Sequence, residues 1–275
     1  MPHDVIVTDH EIALAVRDHG GDGEPVLLLH GLGGTLEAWD ALRLDGHRAV
    51  AMDLRGHGLS GDGPWEWARV LDDIEAVVRH LGLGNPAIAG HSLGGMLAVQ
   101  WALRHPECPA VVNLDGLRSA ENDPANYPGM DPVQRDEALA KLKATFDAQA
   151  AAMGQPLPVE VRAMFPRRAL AERDGQTYAR PGADVLDAVR YTPEFRDTIP
   201  LLRRVTCRTL VVIPTQDPPG MPGGELMAAF RRGVRRDLAD LPPTVEVKEL
   251  DGSHDLLAEQ PETVSALVTG FLRAR

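Results

Sequence analysis

Cysteine is scarce: the 275 residues contain only two, Cys108 and Cys207. Two cysteines make neither a disulfide framework nor a cysteine-based zinc site, and they read as reduced thiols in a reducing compartment. Basic charge is also short, with 28 basic side chains against 40 acidic ones and a net charge of −12. That balance argues against nucleic acid and anionic membrane surfaces as partners. No run of about 18 apolar residues occurs, so no membrane span is expected. The opening Met-Pro-His-Asp-Val has neither a basic nor an apolar leader region, so no secretory signal is expected, and the setting reads as cytoplasmic. Internal repeats and low-complexity tracts are missing too. What is present is ordinary for a folded chain: 44% hydrophobic and 25% charged residues, too apolar for disorder. The length suffices for a large core without disulfide or metal staples.

Short apolar runs alternate with longer helical stretches, the pattern of a mostly parallel sheet flanked by helices. Residues 5–8 and 12–16 read as an edge pair. Strands are expected over 25–30, 48–53, 86–89, 110–114, 208–213 and 244–250. Helices are expected over 67–81, from 93 to about 105, over 225–238 and over 262–272, each with apolar residues at helical spacing. The interval from about 117 to 200 breaks the alternation. It shows no convincing strand, and its helical pieces are separated by prolines. Asp131-Pro132 starts one of them, an N-cap followed by proline in the first turn, and Gly154 ends it. Residues 1–116 and 201–275 therefore read as a core, and 117–200 as a helical cap inserted between two strands. An insertion at that place lands at one end of an open sheet, often the ligand end.

Gly90-His91-Ser92-Leu93-Gly94 carries the strongest chemical signal. In a G-x-S-x-G turn the serine sits between strand and helix on strained backbone, so its hydroxyl projects above the sheet. The helix that follows aims its unpaired N–H groups and positive dipole end at the same place. His30-Gly31-Leu32-Gly33-Gly34 follows a buried strand, and its glycines allow a close approach to the serine turn. The N–H groups of Leu32 and Leu93 are then the expected oxyanion hole. A serine hydroxyl needs a base. Of ten histidines, His254 fits best, because its loop lies after a late strand and before the last helix. His30, His57 and His91 read as structural. An acid must orient the imidazole. Asp217, in the proline-rich loop after strand 208–213, is favoured because Ser, Asp and His then lie along consecutive late strands. Asp115, at the end of strand 110–114, is the alternative.

With these residues placed, the chain resembles the alpha/beta-hydrolase superfamily in its lid-bearing group. The likeness covers nearly the whole chain. It rests on His30-Gly31-Leu32-Gly33-Gly34, Asp53-Leu54-Arg55-Gly56-His57-Gly58-Leu59-Ser60, Gly90-His91-Ser92-Leu93-Gly94-Gly95, the Asp217 loop and Gly252-Ser253-His254. The resemblance implies an α/β fold with an eight-stranded, mostly parallel sheet, helices on both faces, a helical cap and a Ser-His-Asp triad. Serine at the elbow, where dehalogenases and epoxide hydrolases of this superfamily carry aspartate, argues against those two activities. Pro214 stands where the acid loop of the family often has glycine.

The function expected is that of a serine hydrolase acting on a carboxylic ester or lactone through an acyl-enzyme. The alternatives are a thioesterase or acyl-transfer cyclase, a C–C bond hydrolase with the same triad, and a non-catalytic small-ligand receptor. The expected partner is a small-molecule substrate, with the oligomeric state left open. No cofactor is expected, since no phosphate-cradling or metal-ligand motif occurs. Tyr127, Met130, Phe146, Met153, Met164, Phe165, Tyr178, Tyr191 and Phe195 fall in the cap and suggest an apolar acyl group, although packing onto the sheet accounts for most of them. Arg118, Arg135, Arg167 and Arg168 are cations open to a substrate carboxylate; solvated surface charge is the plainer reading.

Overall fold

Val26, Leu27, Leu28 and Leu29 are at most 1% exposed, so their strand is covered on both faces. Alternation divides them. Leu27 and Leu29 join an apolar cluster with Val70, Ile74, Leu97 and Trp101. Val26 and Leu28 join another with Leu36, Trp39, Val264 and Val268. This two-sided burial is the mark of a parallel sheet between helical layers. The computed structural model describes residues 2–8, 10–217 and 224–274.

The strands are β1 (His3–Val7), β2 (Leu14–Gly20), β3 (Glu24–Leu29), β4 (His47–Met52), β5 (Ala87–His91), β6 (Ala110–Leu114), β7 (Leu170–Arg173), β8 (Gln176–Ala179), β9 (Arg208–Pro214) and β10 (Val245–Leu250). Eight of them form one sheet in the order β1-β2-β4-β3-β5-β6-β9-β10. β2 runs antiparallel to both its neighbours, and the pairings from β4 through β10 are parallel. The carboxyl ends of β3, β5, β6, β9 and β10 therefore lie along one edge, and the loops that leave them meet there.

The main helices fall where apolar periodicity places them, at Trp67–His80, Leu93–Arg104, Glu225–Leu238 and Pro261–Arg273. Between β6 and β9 the chain leaves the sheet, and its longest element is the helix Pro132–Met153. Asp131 caps that helix through Oδ1, which accepts from the N–H groups of Val133 and Gln134. Leu142 is its one fully buried residue. With Tyr127 it packs against Leu226 and Ala229 of the helix Glu225–Leu238.

One expectation about this interval is corrected. It contains strands, the antiparallel pair β7 and β8. Asp174 and Gly175 between them have φ of 49° and 73°, and two consecutive residues of positive φ make the tight turn that joins twisted strands. The hairpin is tied to the core. Arg168 donates from Nε to Asp53 at 2.6 Å, and Arg180 donates from Nη2 to the Ser60 carbonyl at 2.7 Å.

Candidate active site

Ser92 stands between β5 and the helix Leu93–Arg104 with φ of 52° and ψ of −118°. A non-glycine residue held there costs about 1–3 kcal/mol, so the surroundings must over-determine it. They do. The Ser92 N–H donates to the Leu114 carbonyl at 2.9 Å, and its own carbonyl accepts from Met96 N–H at 3.1 Å. A side chain on Gly90 would collide with the backbone of Gly94, and one on Gly94 with the carbonyl of Leu29. Both positions admit only glycine, because strand and helix cross at backbone contact.

The loop after β3 lies against this turn. A Cβ placed on Gly31 would sit 3.0 Å from the Ser92 Cβ. His30 holds the loop from beneath: Nδ1–H donates to the Gly31 carbonyl at 2.8 Å and Nε2 accepts from Leu54 N–H at 3.0 Å. Asp53, fully buried, accepts from Leu36 N–H at 2.7 Å and Leu59 N–H at 2.8 Å, besides Arg168. The Asp53–Ser60 segment is thus a brace joining the loop after β3 to the hairpin of the insertion. His57 donates from Nδ1 to the Arg55 carbonyl at 2.9 Å.

His254 follows β10, and its ring is bonded to Asp115: Nδ1 lies 2.6 Å from Asp115 Oδ2. The structure thus brings Asp115 to His254, and not Asp217, the aspartate favoured from the sequence. The Asp217 carboxylate pairs instead with the guanidinium of Arg231. The difference lies in the strand ends. Asp115 turns out of β6 at once, with φ of 54° and its N–H on the Val212 carbonyl at 2.9 Å. Asn113, wholly buried, clasps the far side of the turn through Gly116, donating to its carbonyl at 2.9 Å and accepting its N–H at 2.7 Å. β9 runs on to Pro214, and Asp217 lies three residues further along, in reach of Arg231 on the helix Glu225–Leu238. The rest of that proline-rich loop, residues 218–220, lies outside the described residues. Asn113 and Gly116 escaped sequence reasoning, although Asn-x-Asp-Gly after an apolar strand is a turn signal.

Burial disfavours the His254 cation, but the hydrogen bond and charge of Asp115 outweigh it, with a smaller contribution from Asp255, and the pKa is raised above the usual imidazole value. His91 does the opposite. Burial first, then the neighbouring His254, pushes it down to about 3. As a neutral ring, His91 donates from Nε2 to the His254 carbonyl at 2.7 Å, and the two rings lie 4.7 Å apart. The His254 loop is held further by Glu259, which accepts from Ser253 N–H and Oγ–H at 2.8 and 2.7 Å.

Ser92, Asp115 and His254 line one cavity of 320 Å³, the size of a small-molecule site. No hydrogen bond joins the Ser92 and His254 side chains. Phe146 and Phe195 of the insertion line this space, as do Met96, Ile213, Met227, Phe230 and Val234 of the core. Met164 and Tyr191 do not; they are 80% and 55% exposed. Among the four arginines open to a substrate carboxylate, Arg168 is spent on Asp53 and Arg135 on Asp136, and Arg118 lines the cavity. Among the described residues no group of three His, Cys, Asp or Glu side chains is arranged to hold a metal ion. No helix among them is long and apolar enough to cross a membrane.

Known proteins share this architecture. Over 160 residues the chain is 32% identical to an AB hydrolase superfamily protein, YisY, of Bacillus subtilis, a match covering 54% of this chain and 59% of that one. Over 112 residues it is 34% identical to the bifunctional esterase/perhydrolase DCH of Acinetobacter calcoaceticus, covering 38% and 40%. The chain thus spans about half the length of these curated relatives. The crystal structure of E-2-(acetamidomethylene)succinate hydrolase superposes with a TM-score of 0.68 at 25% identity, covering the whole of both chains. Residues 26–267 match the alpha/beta hydrolase family; this chain belongs to that family and carries its fold.

Proposed function

We propose that this hydrolase cleaves ester-type acyl substrates, carboxylic esters or lactones, with Ser92 as nucleophile, His254 as base and Asp115 as the acid that orients it. The observation that carries the reading is the junction of three strand ends, which gathers the strained Ser92 turn and the bonded His254–Asp115 pair at one cavity. In the proposed sequence His254 Nε2 takes the Ser92 proton as Oγ attacks the carbonyl carbon. The carbonyl electron pair moves to oxygen, which the N–H groups of Leu32 and Leu93 hold. Collapse restores the carbonyl and expels the leaving oxygen, which takes the proton from His254. Water then repeats the attack on the acyl-enzyme, again through His254, and releases the acid and Ser92.

Asp115 serves by position: its bond to Nδ1 leaves Nε2 as the basic nitrogen and steadies the imidazolium. The residues between β6 and β9 act as a cap whose Phe146 and Phe195 close an apolar acyl pocket. The two buried cysteines, both free thiols, suit a cytoplasmic setting. The test is turnover of a panel of esters and lactones by Ser92→Ala, expected to fall by about 10⁴–10⁶-fold. Near-normal turnover in that variant overturns the assignment.

A further inference from the structure

Arg118 opens the insertion, pairing with Asp197 at its other end across an isolated antiparallel bridge. Its side chain is 2% exposed. One nitrogen is committed: Nη2 donates to Asp197 Oδ2 at 2.7 Å and to Asp237 Oδ2 at 2.8 Å. The other two are not. Nε and Nη1 are buried and have no acceptor among the described residues. Buried guanidinium N–H groups left unbonded cost free energy that an acceptor recovers. The residue belongs to the wall of the cavity that holds Ser92 and His254.

The charge of that wall points the same way. Its charged side chains, besides His254, are Arg118, Arg231, Arg235 and Asp115. Asp115 is bonded to His254, Arg231 to Asp217 and Arg235 to Glu249. The acids that balance the arginines do not line the cavity, and among these arginines Arg118 is the one whose unused nitrogens are buried without an acceptor among the described residues. A guanidinium prefers carboxylate to neutral acceptors, because charge-assisted bonds are roughly twice as strong.

We propose that Arg118 binds a carboxylate on the substrate, so that the enzyme acts on acyl compounds that are also acids. The proposal rests on the serine-hydrolase reading for its chemistry but not for its binding. Asp197 and Asp237 explain Nη2 as a clip for the base of the insertion; the unused Nε and Nη1 are what a clip leaves unexplained.

The test compares monomethyl glutarate with its carboxamide analogue, methyl 4-carbamoylbutanoate, and repeats the pair at succinate and adipate lengths. The wild type should favour the acid by about 10–100-fold in kcat/KM, the worth of one charged hydrogen-bonded contact. Arg118→Gln should erase that preference through KM, the acid losing about 10–100-fold more than the amide, a selectivity change that loss of a structural clip does not produce. Equal or better turnover of the amide at every length, or equal loss on both substrates, overturns the proposal. If Arg118→Gln does not fold, the wild-type preference decides alone. Glutarate binding by titration calorimetry gives a readout without catalysis, and should weaken about tenfold or more in Arg118→Gln; unchanged affinity overturns the site. Labelling by a fluorophosphonate separates the two readings. A protein that labels at Ser92 yet ignores the carboxylate retires Arg118 only. A protein that binds glutarate through Arg118 yet does not label retires the serine chemistry only.

Discussion

His254 Nδ1 and Asp115 Oδ2 stand 2.6 Å apart although 139 residues separate them in the chain. Two adjacent features of the sheet make the contact. β6 ends one residue before Asp115, and the loop after β10 is drawn back over β9, with Gln216 N–H on the Gly252 carbonyl at 2.9 Å and Thr215 N–H on the Leu250 carbonyl at 3.1 Å. The carboxylate that meets the imidazole is therefore set by where a strand stops.

Asp115→Asn should lower kcat for ester hydrolysis by about 10³–10⁴-fold, the cost of a mis-set tautomer. Asp217→Asn should stay within about threefold, since that carboxylate serves Arg231. Steady-state kinetics on one ester settles the pair. A larger loss at Asp217 would return the acid to the proline-rich loop.

The raised pKa of His254 fixes a sign. In the proposed mechanism the base works as neutral imidazole, so kcat/KM should fall on the acid side with a midpoint above the ordinary 6.5. Asp115→Asn removes the hydrogen bond and charge that raise it, so the residual activity should show that midpoint moved to lower pH. A midpoint that stays in place would mean another group controls the limb.

Buried neutral histidines make the opposite statement about stability. Burial is the chief cause that lowers His30 to about 4, and His57 and His91 to about 3. The unfolded chain therefore binds these protons first. Their contribution is complete above about 6.5 and is lost as pH falls toward 4 and below. His254 acts against this trend, stabilising below 6.5 and losing that contribution as pH rises through its raised value, but it is one group against three. Urea midpoints should already decline between pH 7 and about pH 5, above the range where most carboxylates titrate. A flat profile there would contradict the burial of these rings.

Arg168→Ala should cost about 3–5 kcal/mol, because it leaves the wholly buried Asp53 carboxylate short of its cationic partner. Lys143→Ala, which breaks only the exposed pair with Asp147, should leave the urea midpoint nearly unmoved. Equal effects from the two would mean the hairpin of the insertion is not anchored through Asp53.

The parts of this structure legible in the sequence are local. β6 and the helix Glu225–Leu238 coincide with their expected bounds, and most other elements differ by a residue or two, because burial writes its period directly into the chain. The Ser92 turn is legible for the same reason: Gly90 and Gly94 announce the close crossing. Asp115 against Asp217 was open because either aspartate satisfies the order Ser, Asp, His, and only the length of β9 and the Asn113 clasp discriminate. The β7–β8 hairpin carried an Asp-Gly signal, but its flanking residues Leu170–Arg173 and Gln176–Ala179 lack the β-branched alternation that marks a strand. Arg118 was illegible because an arginine reads as surface until its partners are known.

The most direct test of the account is rapid-quench mass spectrometry during turnover of a slow ester. An adduct of the mass of the acyl group, mapped to the peptide bearing Ser92 and missing from Ser92→Ala, is the expected result. Hydrolysis that proceeds with the adduct on another residue, or at an undiminished rate in Ser92→Ala, would contradict it.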